Sequence, residues 1–311
     1  TGPQRASRNL MGTRVDIVAD GGDARELQAA IGLAFGEMQR LEALLSRYRD
    51  DSVVRRIGQA AGRHPVAVGP EVMAMLVDAQ RVWQGSAGAF DPTVGALSGW
   101  HFEPGQQAMP APAEISAALR HVGARQLQLD ERAGTAYLAG RGMLLDLGGI
   151  AKLPILAAGL RVLEREGVTN ALINGGGDVL ASGRLQGRPW RVGVRDPRAP
   201  DKLLGAIEVE GFGVVASSGD YERGFMHQGR RLHHVLDPQT GWPTQGVHGV
   251  ALLARDVRAV NGWGTALMVQ GMAAVPAWSA RHPGVAVLAA GADGALWQSS
   301  GMAMALKPVT T

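Results

Sequence analysis

Residues 146–178 read DLGGIAKLPILAAGLRVLEREGVTNALINGGGD. A polar, glycine-containing opening leads to an apolar, helix-forming run, then to a short apolar run closed by three glycines and an aspartate. A helix is expected from about Pro154 to Glu166, feeding a buried strand at Ala171–Asn174. Upstream, Thr13–Val18 alternates like a strand. Leu27, Ile31, Ala34, Met38, Leu41 and Leu45 then recur at steps of three and four, the apolar face of an amphipathic helix. Asp23 with Glu26 offers a capping pair at its start. A second helix opens with Pro70 in its first turn and carries Val72, Leu76, Ala79 and Val82 or Trp83. Ser98–Pro112 reads as a long loop, followed by short patterns at Ala113–His121, Gln126–Leu129, Ala136–Leu138 and Met143–Asp146. Downstream the chain is strand-rich, at Trp190–Val194, Leu204–Val209, Gly213–Ala216, His233–Leu236 and Val250–Leu253. One helix near Asn261–Val269 interrupts it. No period of 20–50 residues repeats and no long polar linker divides the chain, so residues 1–311 read as one α+β domain.

Composition narrows the functions. The chain has 311 residues, a hydrophobic fraction of 46 % and a net charge of +3, enough apolar surface for a real core and too little charge for a nucleic-acid footprint. Its 44 glycines are about twice the average usage of roughly 7 % and follow no three-residue period, which excludes collagen. Without cysteine there is no disulfide scaffold, thiolate metal site or cysteine nucleophile. No run of about 18 apolar residues suggests a membrane span. The first residue is Thr1 rather than Met, so a trimmed or mature start is expected, with any signal peptide lying outside the sequence.

Five clusters sit at the ends of apolar runs, where sites tend to be built. They are Ala89-Phe90-Asp91-Pro92-Thr93, Asp146 to Lys152, Asn174 to Asp178, Ser217 to Arg223, and His233 to Pro238. Each alone reads equally as turn punctuation. GGGDVLASG lacks the G-x-G-x-x-G spacing of a dinucleotide fingerprint, yet three glycines after a buried strand offer backbone N–H groups to a phosphate. Ser217-Ser218-Gly219 lacks the context of a nucleophile elbow. His233 and His234, adjacent on an expected strand, would face opposite ways and could not both grip one metal.

Taken together, the clusters are more specific. With Met11-Gly12-Thr13 ahead of them and Ser46-Arg47-Tyr48 after the first helix, they run in order as GAFDPTVG, LDLGGIAK, LINGGGDVLASG, WRVGVRDP, SSGDYERGF and HHVLDPQTG, ending at Asn261–Gly271. This order resembles the ApbE family, the FAD:protein FMN transferases, from Met11 to about Gly271. The resemblance implies a single α+β domain of the ApbE-like, T-fold-related type. It also implies a reaction in which Mg²⁺ assists cleavage of FAD, FMN passes to a Thr or Ser hydroxyl of a partner flavoprotein, and AMP leaves. Carried onto this chain, the flavin-nucleotide contacts are Met11, Tyr48, Ala89, Phe90, Asp91, Asp146, Lys152 and Val235, with Gly175 and Gly176 beneath a phosphate. The metal ligands are the Gly149 carbonyl with Asn261 and Thr265, and His234 matches the histidine that acts at the catalytic step.

Two stretches depart from the family pattern. Val260-Asn261-Gly262-Trp263-Gly264-Thr265 stands where the family reads Ala-Asp-Ala-Leu-Ala-Thr, which puts a neutral amide in place of a carboxylate. Leu153-Pro154 follows Lys152 where Gly-Tyr is usual. A flavin transferase and a non-hydrolysing FAD-binding carrier both remain open on these residues. The resemblance further implies an acceptor flavoprotein of a membrane or periplasmic redox complex, and a periplasmic or lipoprotein-anchored location.

Overall fold

The structure is a computed structural model and describes residues 2–309; Thr1, Thr310 and Thr311 of the expected 1–311 domain lie outside the described residues. Its centre is an eight-stranded sheet formed by β1 (Gln4–Leu10), β2 (Thr13–Asp20), β3 (Asn170–Gly175), β4 (Asp178–Ser182), β5 (Gly213–Gly219), β6 (Val247–Ala254), β7 (Ala286–Gly291) and β8 (Leu296–Gln298). Spatial order follows chain order and every neighbouring pair is antiparallel. Four long excursions leave this meander, between β2 and β3, β4 and β5, β5 and β6, and β6 and β7. Together they carry most of the polar clusters.

Alternation along the strands gives the sheet two apolar faces. Val15, Ile17, Ala171, Ile173, Val214, Val250 and Leu252 point to a helical layer. That layer is built from α1 (Ala24–Leu45), α2 (Pro70–Gly85), α3 (Gly148–Arg165) and α4 (Trp263–Gln270). Val179, Ala181, Val215, Ala251 and Leu288 point the other way, against Trp190, Val192, Ile207 and Val209. Those residues belong to a three-stranded sheet of Trp190–Asp196, Ala199–Val209 and Leu306–Lys307. A satellite cluster of Leu97, Trp100, Ile115 and Leu232 ties the 98–112 loop to the hairpin Gly224–His227/Arg230–His233.

The expected elements are present except that the strand expected at His233–Leu236 is Arg230–His233, and four further differences follow. β1 pairs with β2 along its whole length although its sequence is polar, because only Leu10 is buried on it. Met143–Asp146 makes a lone bridge from Leu144 to Val94 rather than a strand. α3 begins at Gly148, six residues before Pro154, because the Leu147 carbonyl accepts from both Ile150 and Ala151 N–H and starts the first turn there. The Asn261–Val269 helix is split: a short helix Val257–Val260 ends at Asn261, whose backbone is extended, and Gly262 turns the chain at φ +80° before α4 starts. Asp23 caps α1 as expected, accepting from Arg25 N–H.

α1 and α3 cross so closely that a Cβ at Gly159 would lie 2.9 Å from Met38 Sδ. Gly159→Val should therefore overpack a core contact and lower unfolding free energy by about 1–3 kcal/mol, read as a lower urea midpoint with an unchanged slope.

Candidate functional site

Three chain segments meet at the N-terminal turn of α3. The Asp146 carboxylate folds back to accept from Gly148 N–H at 2.9 Å, and its other oxygen takes Arg47 Nη1 at 2.9 Å. Arg47 in turn donates to Tyr48 Oη at 2.8 Å and lies over the Tyr48 ring. Tyr48 itself is 73 % exposed, an aromatic face open to a planar ring system. Gly149 abuts both Phe90 and Thr265: a Cβ there would be 3.2 Å from Phe90 Cε2 and 3.2 Å from Thr265 Oγ1. Asn261 Nδ2 donates to the Ile150 carbonyl at 2.8 Å, from a position only 2 % exposed. The three expected metal ligands are thus brought to one helix end. They arrive by a different route from the expected single helical turn, because the turn at Gly262 separates Asn261 from the helix that bears Thr265.

One helical turn beyond, Lys152 Nζ reaches Asp178 Oδ2 at 3.3 Å, across the turn that joins β3 to β4. That turn needs Gly176, whose φ is +62° and whose Cβ position would be 2.7 Å from Thr13 Oγ1 and 3.0 Å from Lys152 Nζ. Gly175 is buried in β3 against Leu156. Burial pushes the Asp178 carboxyl up, against the pull of Lys152 and the Ser217 N–H it accepts. Met11 sits in the β1–β2 turn at φ 54°, its N–H given to Glu42 and its carbonyl taken by Arg223 Nη2 at 3.2 Å. Glu222 lies among these charges. Burial raises its pKa to about 7, and Asp178 adds to the rise while Lys152 and Arg223 oppose it.

His234 faces Glu222, with 3.9 Å between Nε2 and Oε2. It follows the strand Arg230–His233 instead of lying within it, as was expected of His233–Leu236. Burial, with the positive charge of Arg223 and then His233 nearby, lowers its pKa to about 4, and Asp146 pulls in the opposite direction. Its Nδ1 is buried with no hydrogen-bond partner. His233 does point elsewhere: it is buried and bonds the Thr244 carbonyl at 2.7 Å. Val235 is buried in the main core and its carbonyl accepts from Thr244 N–H, so it shapes the wall behind His234.

Asp91 is placed differently from an open ligand. One carboxylate oxygen accepts from Thr93 N–H and Oγ1 at 2.7 and 2.6 Å, the other from Ala124 N–H at 3.1 Å, which fixes the turn that presents Ala89 and Phe90. Arg47, Asp178, Glu222 and Arg223 belong to the quoted motifs, but the sequence assigns them no role; the fold brings their motifs together near the start of α3.

The donor set for a cation is uncharged. Gly149 offers a carbonyl, Thr265 a hydroxyl and Asn261 its amide oxygen, since its amide nitrogen is committed to Ile150. These oxygens fit a hard cation in kind. Among the described residues no group of three or more His, Asp or Glu side chains could hold a metal ion.

Comparison with known proteins places the chain in a family. The sequence model of the ApbE family matches residues 11–289. The chain is 33 % identical over 272 residues to the FAD:protein FMN transferase of Salmonella typhimurium, covering 84 % of this chain and 77 % of that protein. It is 34 % identical over 284 residues to the FAD:protein FMN transferase of Treponema pallidum, covering 85 % and 78 %. The crystal structure of the ApbE protein of Thermotoga maritima superposes with a TM-score of 0.89 at 30 % identity, over 98 % of this chain and 99 % of that one. The chain belongs to the ApbE family.

Proposed function

We propose that this protein is an FAD:protein FMN transferase. It would bind FAD along the cleft from Tyr48 to Lys152 and pass FMN to a Thr or Ser hydroxyl of a partner flavoprotein, releasing AMP. The observation that carries the reading is the grouping of Lys152, Glu222 and His234, which feel one another's and Asp146's charges, near the first turn of α3, whose Gly149 and Ile150 are met by Thr265 and Asn261 from other segments.

In this reading Tyr48 and Met11 offer surfaces to aromatic rings, and Arg47 holds the Asp146 carboxylate in place for ribose or base hydrogens. Lys152 meets a phosphate, exchanging part of its contact with Asp178 for the ligand. The acceptor hydroxyl attacks the FMN-side phosphorus. A new O–P bond forms, the pyrophosphate bond breaks, and its electron pair leaves on the AMP phosphate. The hydroxyl proton passes to the His234–Glu222 pair. With its pKa near 4, His234 is a neutral but weak base at neutral pH, and Glu222 near 7 is the better matched resting place for the proton. Mg²⁺, when held by the Gly149, Asn261 and Thr265 oxygens, supplies charge neutralisation to the pyrophosphate. The acceptor belongs, on this proposal, to a membrane or periplasmic redox complex, and the protein works on the outer side of the cytoplasmic membrane. Among the described residues no helix is long and apolar enough to cross a membrane.

The uncharged donor set favours one second reading, a carrier that holds FAD without cleaving it. Incubation with FAD, Mg²⁺ and a Thr-containing acceptor peptide separates the two. The transferase yields AMP and a peptide heavier by one FMN; intact FAD with no AMP above blank leaves the carrier. His234→Ala should lower the transfer rate about 100-fold while FAD affinity, read by flavin fluorescence, stays within about threefold.

Glu222 and His234 also leave opposite marks on stability. The folded-state pKa of Glu222, about 7 against an ordinary 4.5, means that its favourable contribution is complete below pH 4.5 and lost as pH rises through about 7. That of His234, about 4 against 6.5, makes its contribution complete above pH 6.5 and lost as pH falls through about 4. Glu222→Gln should therefore gain on the wild type by about 1–2 kcal/mol between pH 4.5 and 7.5, a figure reduced for the partial exposure of the side chain. Urea unfolding at the two pH values measures it, and a difference independent of pH refutes the assignment.

A further inference from the structure

Pro154 lies inside α3, the seventh residue of the helix. It has no N–H, so the carbonyl four residues back, that of Ile150, loses the hydrogen bond the helix would give it. Asn261 makes good that loss: its Nδ2 donates to Ile150 O at 2.8 Å from a position almost fully buried. The local backbone is shaped for this contact, since Asn261 is extended and Gly262 turns at φ +80°. A carboxylate in the same place would set an acceptor against an acceptor in a dry site, an arrangement that forfeits the bond and adds repulsion. Pro154 and Asn261 are therefore one unit: the proline creates an orphan carbonyl that only a donor side chain can satisfy.

The unit stands at a cation site. The Gly149 carbonyl belongs to the residue just before Ile150, and Thr265 Oγ1 lies against Gly149. Once Asn261 is committed as a donor, the protein brings only neutral oxygens, whereas hard divalent cations gain most of their binding from anionic oxygens. The missing negative charge has one source in the reading proposed above, the diphosphate of the flavin nucleotide. We propose that this chain takes up its divalent cation only together with a diphosphate ester, and that the Pro154–Asn261 pair is what makes the two ligands interdependent. The inference rests on the FAD-binding part of the proposed function. Asn261 acts in it twice: its Nδ2 holds the first turn of α3, and through that turn the Gly149 carbonyl, while its amide oxygen is a neutral ligand.

The test uses the full chain, Mn²⁺ as the probe ion, and readouts other than turnover. Wild-type protein without nucleotide should show no saturable Mn²⁺ binding by calorimetry up to about 1 mM. The same ion should tighten FAD binding, read by flavin fluorescence, at least about tenfold. Asn261→Asp alone should lower Tm by about 3 °C or more, because the Ile150 carbonyl loses its donor. Pro154→Ala restores a backbone N–H at residue 154. The double variant Pro154→Ala/Asn261→Asp should therefore recover most of that Tm and bind Mn²⁺ saturably without nucleotide. Saturable Mn²⁺ binding by the nucleotide-free wild type overturns the proposal, as does an FAD affinity indifferent to Mn²⁺. An Asn261→Asp variant as stable as the wild type, or equally destabilised with and without Pro154, overturns the linkage between the two residues. If FAD fails to bind under every condition, the functional reading falls with it. The Tm cycle and the nucleotide-free Mn²⁺ titrations still report on the pair by themselves.

Discussion

The burial of α3 is the constraint on which the site depends. Ten of its residues are buried, spread around the helix and not confined to one stripe, because α1 covers it from one side and the sheet from the other. A helix held this way cannot tilt or slide without opening the core. Its first turn is consequently a fixed platform. Asp146, the Gly149 carbonyl and Lys152 all issue from that turn or its lead-in, so their spacing is set by helix geometry and not by loop conformation.

The second constraint is electrostatic. Lys152 contacts Asp178 and is the first of the charges that lower Glu222, while burial raises both carboxyl groups. Two carboxylates sharing one ammonium cannot both be comfortably ionised. Asp178 has the direct contact and a backbone N–H, so it is the better stabilised anion, and Glu222 is left as the group that holds a proton near neutrality. Burial, with Arg223 and His233 nearby, keeps His234 neutral. A proton-storing carboxyl beside a neutral imidazole follows from burial of both groups among these charges.

Much of this was legible in the sequence because it is local. The period of Leu27 to Leu45 gave α1, Pro70 gave the start of α2, and ALIN gave β3. The order of the Gly-rich and acidic motifs pointed to the family and to the cluster around α3. What was not legible is what depends on tertiary contact. Pro154 was read as a helix start, but the true first turn is nucleated by Leu147, and the proline is tolerated inside the helix only because a side chain 107 positions later caps the freed carbonyl. β1 carries no apolar alternation, since its stability comes from the ladder with β2 and not from a buried face. Asp91 has the chemistry of a ligand and the surroundings of a scaffold, a distinction visible only in the three donors around it.

The altered segment 260–265 can be judged by its packing. Trp263 lies buried, 5.3 Å from Trp278 and 5.4 Å from His282, with Gly85 giving room at its far edge. Gly264 gives room to Ser218, whose hydroxyl would have to turn aside for a Cβ there. Gly262 adopts a backbone that other residues rarely enter, and Asn261 satisfies the carbonyl that Pro154 abandons. Pro154, Asn261, Trp263 and Gly264 thus each have a physical partner elsewhere in the chain. Such matching keeps the start of α3 a packed platform while an amide stands there in place of a carboxylate.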